Sequence, residues 1–263
     1  MVKRVALIVA VVGLMIVGNA VYAQTTTKGM AFNGATGLIT TPTAQIGWER
    51  TADVGLDFGY HVVFDDGDIS HLPKATVSLF RKGEAGVAYD TMDGAGDDSG
   101  AFLIHGKFQF FKEGVSAAGI GTNIQLLELA GNSYNAVQVY LVGTYGGAFF
   151  GLPAATSVVF GKTFSDEFVG DSDIDFSMGF ELTLFPELFR GYVHWINDFA
   201  NYSYSVLPSG NNPRNRGAYN TGIRIAPLGS SQYKFVIDAV LADIFDDNDR
   251  AFALGATFGL GVN

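Results

Sequence analysis

Apolar and polar residues alternate along most of the chain from residue 52 to its end, the repeat of a strand with one face in an apolar phase. Between 173 and 184, Ile174, Phe176, Met178, Phe180, Leu182 and Leu184 share one face. Asp173, Asp175, Ser177, Gly179, Glu181 and Thr183 share the other. Near the end, Phe252, Leu254, Ala256, Phe258, Leu260 and Val262 oppose Ala253, Gly255, Thr257, Gly259 and Gly261. The same alternation at 52–61, 74–81, 84–90, 101–111, 115–127, 135–145, 154–164, 189–198, 217–226 and 233–242 brings the predicted strands to twelve.

A soluble sandwich and a membrane barrel both produce such a pattern, and strand length separates them. Several segments run 10–13 residues, against ~5–6 for globular strands and ~9–11 for strands that cross a bilayer. The less apolar faces are rich in Gly and Ala, which suits a crowded barrel interior. The pattern therefore predicts an all-β chain: residues 52–263 as a single transmembrane antiparallel up-and-down barrel of about twelve strands, with ten to fourteen as the range.

Connections test this independently. Long ones at 62–73, 91–100, 128–134, 165–172, 199–216 and 244–249 alternate with short ones at 82–83, 112–114, 186–188 and 227–231, as outer loops alternate with periplasmic turns. The segment 146–153 is the exception, being as long as its neighbours. An even strand count puts both ends of the barrel domain on the periplasmic side. Lys162 shares parity with Val158 and Phe160; it either snorkels near its strand end or marks a bulge.

Residues 1–23 have another character. Lys3 and Arg4 precede an apolar run from Val5 to Val17, and Val21 and Ala23 occupy the −3 and −1 positions of a cleavage site before Gln24. This is the pattern of a secretory signal peptide. Its loss takes the formal charge from −10 to −12. An acidic chain lacks the footprint of a nucleic-acid partner, and a chain without Cys has no disulfide, thiolate metal site or cysteine nucleophile.

Half of the acids lie in the presumed outer loops. Asp65, Asp66 and Asp68, and again Asp246, Asp247 and Asp249, crowd carboxylates that loop-bound Ca²⁺ or Mg²⁺ would bridge to lipopolysaccharide phosphates. Solvated charge is the plainer reading. Inside the barrel, parity places Asp53, Asp57, Asp173, Asp175, Glu181, Asp198 and Asp238 against Lys107, Arg190, His194, Arg224 and Lys234. Paired across strands, they fill the lumen; held apart around water, they line a cation-favouring channel. His194 and Asp198 share a face that Asn197 does not, which leaves a hydrolase triad incomplete. No enzyme and no cofactor are expected.

Residues 34–44 read Gly34-Ala35-Thr36-Gly37-Leu38-Ile39-Thr40-Thr41-Pro42-Thr43-Ala44. Through Gly34, Gly37, Leu38, Thr41, Pro42, Thr43 and Ala44 this resembles the opening of the YjbH-like exopolysaccharide-associated outer-membrane barrel proteins. The chain is shorter than the long members of that family and lacks their lipoprotein Cys. The resemblance implies the outer membrane of a Gram-negative bacterium, with lipid and lipopolysaccharide as surroundings. It also implies polysaccharide or periplasmic export proteins as partners. A passive small-solute porin is the alternative, and an outer-membrane lipid hydrolase a remote one. The extended segment 24–51 either docks in the lumen or on a periplasmic partner, or is a tether or extra strand.

Overall fold

A strand in hydrocarbon has no water to satisfy its backbone, so a sheet that crosses a membrane must close on itself. In a computed structural model the chain does so, with twelve antiparallel strands in one closed barrel. The structure describes residues 28–49, 52–65, 67–93, 99–129, 132–165, 174–202, 217–230, 232–245 and 250–262. The signal peptide expected at 1–23, and Asp66, Asp173, Asp246, Asp247 and Asp249, lie outside the described residues.

The strands are β1 Val54–Asp65, β2 Asp68–Leu79, β3 Gly83–Asp93, β4 Gly100–Glu113, β5 Ser116–Leu129 and β6 Asn132–Phe149. They continue as β7 Leu152–Ser165, β8 Asp175–Thr183, β9 Val193–Ala200, β10 Ala218–Gly229, β11 Tyr233–Ala242 and β12 Ala251–Val262. Each pairs with its neighbours in sequence, and β1 closes on β12 from Val54↔Val262 to Phe64↔Phe252.

Three sequence expectations are corrected. The loop expected at 62–73 is mostly strand: β1 and β2 run on until Asp65 faces Asp68. The inward positions there include Val63 and Leu72, so apolar residues stand on both faces and mask the alternation. The long connection expected at 146–153 shrinks to Phe150-Gly151, with φ of 51° and 76°. Two consecutive positive φ values are what a type I′ hairpin turn requires, and the exception among the turns disappears. Finally, the strand expected at 189–198 begins only at Val193, after a one-turn helix, α1, at Pro186–Phe189.

The outer face is apolar along the wall, with Phe58, Leu141, Phe164 and Phe258 among its exposed residues. The β4–β5 register shifts between Gln109 and Phe111, and this bulge lets the consecutive Phe110 and Phe111 both face outward. Lys162 also points outward, its Nζ 5.4 Å from the centre of the Phe164 ring, and the β6–β7 register beside it is unbroken. It lies close to the end of β7, so its ammonium reaches the interface without a bulge.

A charge placed mid-wall has no such escape. Leu141, in the middle of β6 and 56% exposed, is predicted to cost ~2–4 kcal/mol as Leu141→Arg in lipid vesicles, whereas Lys162→Leu changes stability by less than ~1 kcal/mol. Urea unfolding of the reconstituted variants measures both.

Candidate functional site

With hydrocarbon outside, the barrel's charges turn inward, and a buried charge is tolerated only when paired or hydrogen-bonded. Some of the pairing is within the wall. Lys234 Nζ lies 2.8 Å from Asp57, Lys107 Nζ 2.9 Å from Glu84, and Arg224 Nε 2.8 Å from Asp238. Glu181 lies 2.9 Å from His194 Nδ1, and Asp175 accepts from Gln138 at 2.8 Å. Further wall pairs join Asn123 to Gln138 and Thr144 to Ser157, and residues 28–49 meet many of the other polar groups of the lumen. This segment enters at the end where β1 begins, reaches up the bore and returns.

The segment has little regular structure of its own. Isolated bridges join Met30 to Thr36 and Gly37 to Pro42, further turns such as Phe32 N to the Ile39 carbonyl close within the segment, and other backbone groups are satisfied by the wall. Thr36 donates from both N and Oγ1 to Glu84, at 2.9 and 2.8 Å. Lys107 Nζ donates to the carbonyls of Thr36 and Thr43, at 3.0 and 2.7 Å. Arg224, with 0% exposure, donates to the carbonyls of Gly37 and Leu38 at 2.8 and 3.0 Å while holding Asp238. Thr144 accepts from the Ala44 amide at 2.8 Å.

At the tip, the successive N–H groups of Ile39, Thr40 and Thr41 converge on one carboxylate oxygen of Asp198, at 3.0, 2.7 and 2.8 Å. Such a run of amides forms an anion-binding nest, here occupied by the barrel's own side chain. Asn220 Nδ2 donates to the other oxygen at 2.7 Å. Around the tip, Phe32, Leu38 and Ile39 pack with Val63, Leu72, Ile196, Val240 and Ala253 in an apolar cluster against the β9–β12 and β1–β2 side of the wall.

At the base, Trp48 Nε1 donates to Asp57 at 3.0 Å. Its ring lies where side chains at Gly55 and Gly261 would be, the absent Cβ positions being 1.9 and 2.6 Å from it. Glu49 gathers Lys28, Lys112 and Gln109, at 2.7, 2.5 and 2.9 Å. Burial alone would raise the Glu49 pKa, but Lys28 and Lys112 outweigh it and hold the carboxyl down at about 2. Burial pushes the Lys28 ammonium down to about 8, opposed by Glu49.

The residues of the 34–44 motif, Gly34, Gly37, Leu38, Thr41, Pro42, Thr43 and Ala44, thus all belong to the plug. Of the lumen residues expected, Asp57, Lys107, Asp175, Glu181, His194, Asp198, Arg224, Lys234 and Asp238 are buried inside. Two are not. Asp53 precedes β1 at the rim, exposed and 2.8 Å from Arg81. Arg190 ends α1 in a left-handed conformation and is exposed; both stand outside the alternation that placed them in the lumen. Glu84, Lys74, His61 and His105 are lumen residues absent from that expectation. Lys74 and Glu84 open their predicted strands, where a charge reads as an end residue, although strict parity along the longer strands would have found them. No group of three His, Asp or Glu able to hold a metal occurs among the described residues.

Solved structures share the architecture. A KdgM porin aligns with a TM-score of 0.52 at 8% identity, covering 77% of this chain and 98% of that one. The translocator domain of the autotransporter NalP from Neisseria meningitidis gives 0.49 at 7%, covering 81% and 90%. The Acinetobacter baumannii outer membrane protein Omp33 gives 0.41 at 14%, covering 79% and 97%. At 8% identity the likeness to the KdgM porin is one of fold. No protein-family model matches the sequence, and no curated protein matches it.

Two outcomes follow for the plug. Asp198→Ala orphans the amides of Ile39, Thr40 and Thr41, each costing ~1–3 kcal/mol where water does not reach it, so hydrogen exchange at these amides accelerates. The Glu49 carboxyl, held at about 2 against an ordinary 4.5, contributes stability that is complete above about 4.5 and lost as pH falls toward 2. The thermal advantage of the native chain over Glu49→Gln accordingly narrows across that interval.

Proposed function

We propose that this chain is a plugged outer-membrane barrel of a Gram-negative bacterium that serves as a structural or export accessory of an exopolysaccharide system. The observation that carries this reading is the lodging of segment 34–44, the part that resembles the YjbH-like proteins, inside the bore on Glu84, Lys107, Asp198 and Arg224. A resting pore for free diffusion needs a water-lined path, whereas here the buried segment 28–49 occupies the bore and its tip packs against apolar wall residues. Polysaccharide or periplasmic export proteins are the partners this role implies. Catalysis is not part of it: the buried His194 is spent on Glu181 and on the Gly191 carbonyl, at 2.9 Å each. Ca²⁺ or Mg²⁺ at the acidic loops belongs to the same proposal, as a bridge to lipopolysaccharide phosphates.

A second reading, a small-solute porin gated by the plug, draws on the fold shared with the KdgM porin. Planar bilayers separate the readings. The accessory reading predicts a silent full chain, with stable conductance steps appearing only when residues 28–49 are deleted. Discrete steps from the full chain would favour the porin.

A further inference from the structure

Three connections at the same end of the barrel put a phenylalanine into a left-handed backbone: Phe80 after β2, Phe150 after β6 and Phe185 after β8, with φ of 53°, 51° and 39°. Gly takes this conformation without steric cost, and bulky side chains rarely occupy it. The rings are not hidden in exchange. Phe80 is 78% exposed, Phe150 90% and Phe185 59%, and Leu188 of α1, three residues after Phe185, is 72% exposed.

Phe150 extends the lipid-facing wall. Phe150 lies 4.4 Å, centre to centre, from Phe149, which lies 6.0 Å from the wall residue Phe180. Phe185 pairs with Phe189 at 6.3 Å. Cations follow the aromatics in sequence, as Phe80-Arg81-Lys82 and Phe189-Arg190. Arg81 is engaged by Asp53, but Lys82 and Arg190 form no ion pair among the described residues. The β2–β3 turn stands across the ring of twelve strands from the β8–β9 connection. A protein partner covers one side of a barrel; a leaflet surrounds it.

We propose that Phe80, Phe150 and Phe185 are membrane anchors that enter the phospholipid leaflet at the turn end, with Lys82 and Arg190 on its anionic phosphates. The aromatic rings sit at the acyl boundary, ~5–10 Å deep, and the cations snorkel to the headgroups. This rests on the barrel spanning a bilayer and is independent of what the lumen does.

Because the chain has no Cys, single cysteines at Phe80, Phe150 and Phe185 accept a nitroxide without background. The full chain is reconstituted in vesicles of phosphatidylethanolamine and phosphatidylglycerol, with a label at Asp68 on the opposite end as the aqueous reference. The expected result is high accessibility to oxygen and low accessibility to a water-soluble nickel chelate at all three Phe positions, reversed at Asp68. Lys82→Gln with Arg190→Gln is expected to move the labels toward water in these vesicles and not in pure phosphatidylcholine. Chelate accessibility equal to that at Asp68 overturns the proposal. So does shielding from both oxygen and chelate, which means protein covers the turns. Each position is read separately, so a variant that fails to fold leaves two to decide the matter.

Discussion

A closed sheet facing hydrocarbon on its whole outer surface has only its bore in which to place charge, and charge in a narrow bore must be matched there. Cross-strand pairing meets part of that demand, as Lys234 with Asp57 and Arg224 with Asp238. It does not meet all of it: among the described residues Asp198 has no ion-pair partner, and it accepts from Asn220 and from three amides of the segment 39–41. Arg224 and Lys107 likewise keep donors for plug carbonyls. The barrel and the segment are therefore one polar network, and neither would be satisfied without the other.

That dependence accounts for the arrangement along the bore. At the base, where the segment enters and leaves, Lys28, Glu49 and Lys112 tie its two ends to each other and to β4. At the tip, the Asp198 carboxylate is held by amides instead of a cation, and Phe32, Leu38 and Ile39 pack beside it against apolar residues of the wall. Trp48 reaches the wall only because β1 and β12 carry Gly55 and Gly261 at the crossing. The small residues on the inner face are thus matched to a particular occupant, which is more than barrel crowding alone would ask.

The strands were legible in the sequence because outward residues meet one solvent, lipid, all around the ring, and the period-two pattern survives nearly unbroken in β8, β11 and β12. It failed where the inner face is itself apolar. Val63 and Leu72 face Phe32, Leu38 and Ile39, so a reading that takes apolar for outward loses β1 and β2 there and substitutes a loop. Asp53 and Arg190 were misplaced because parity was extended past the ends of real strands. The plug's partnerships were not legible at all, since Asp198 lies 157 positions from Thr41 and Arg224 187 from Gly37. Alternation says that a side chain points inward but not what it meets. The motif at 34–44 marked the segment as unusual without saying where it goes.

The central claim, that this segment occupies the bore of the folded barrel, has a direct test at Thr41. Its side chain is fully buried and its hydroxyl has no hydrogen-bond partner, so Thr41→Cys is nearly isosteric in a chain with no other thiol. The account predicts that this cysteine resists a water-soluble maleimide in the folded protein and reacts fully once the barrel is heat-denatured. Labelling in the folded state as fast as that of a cysteine placed at Asp68 would contradict it.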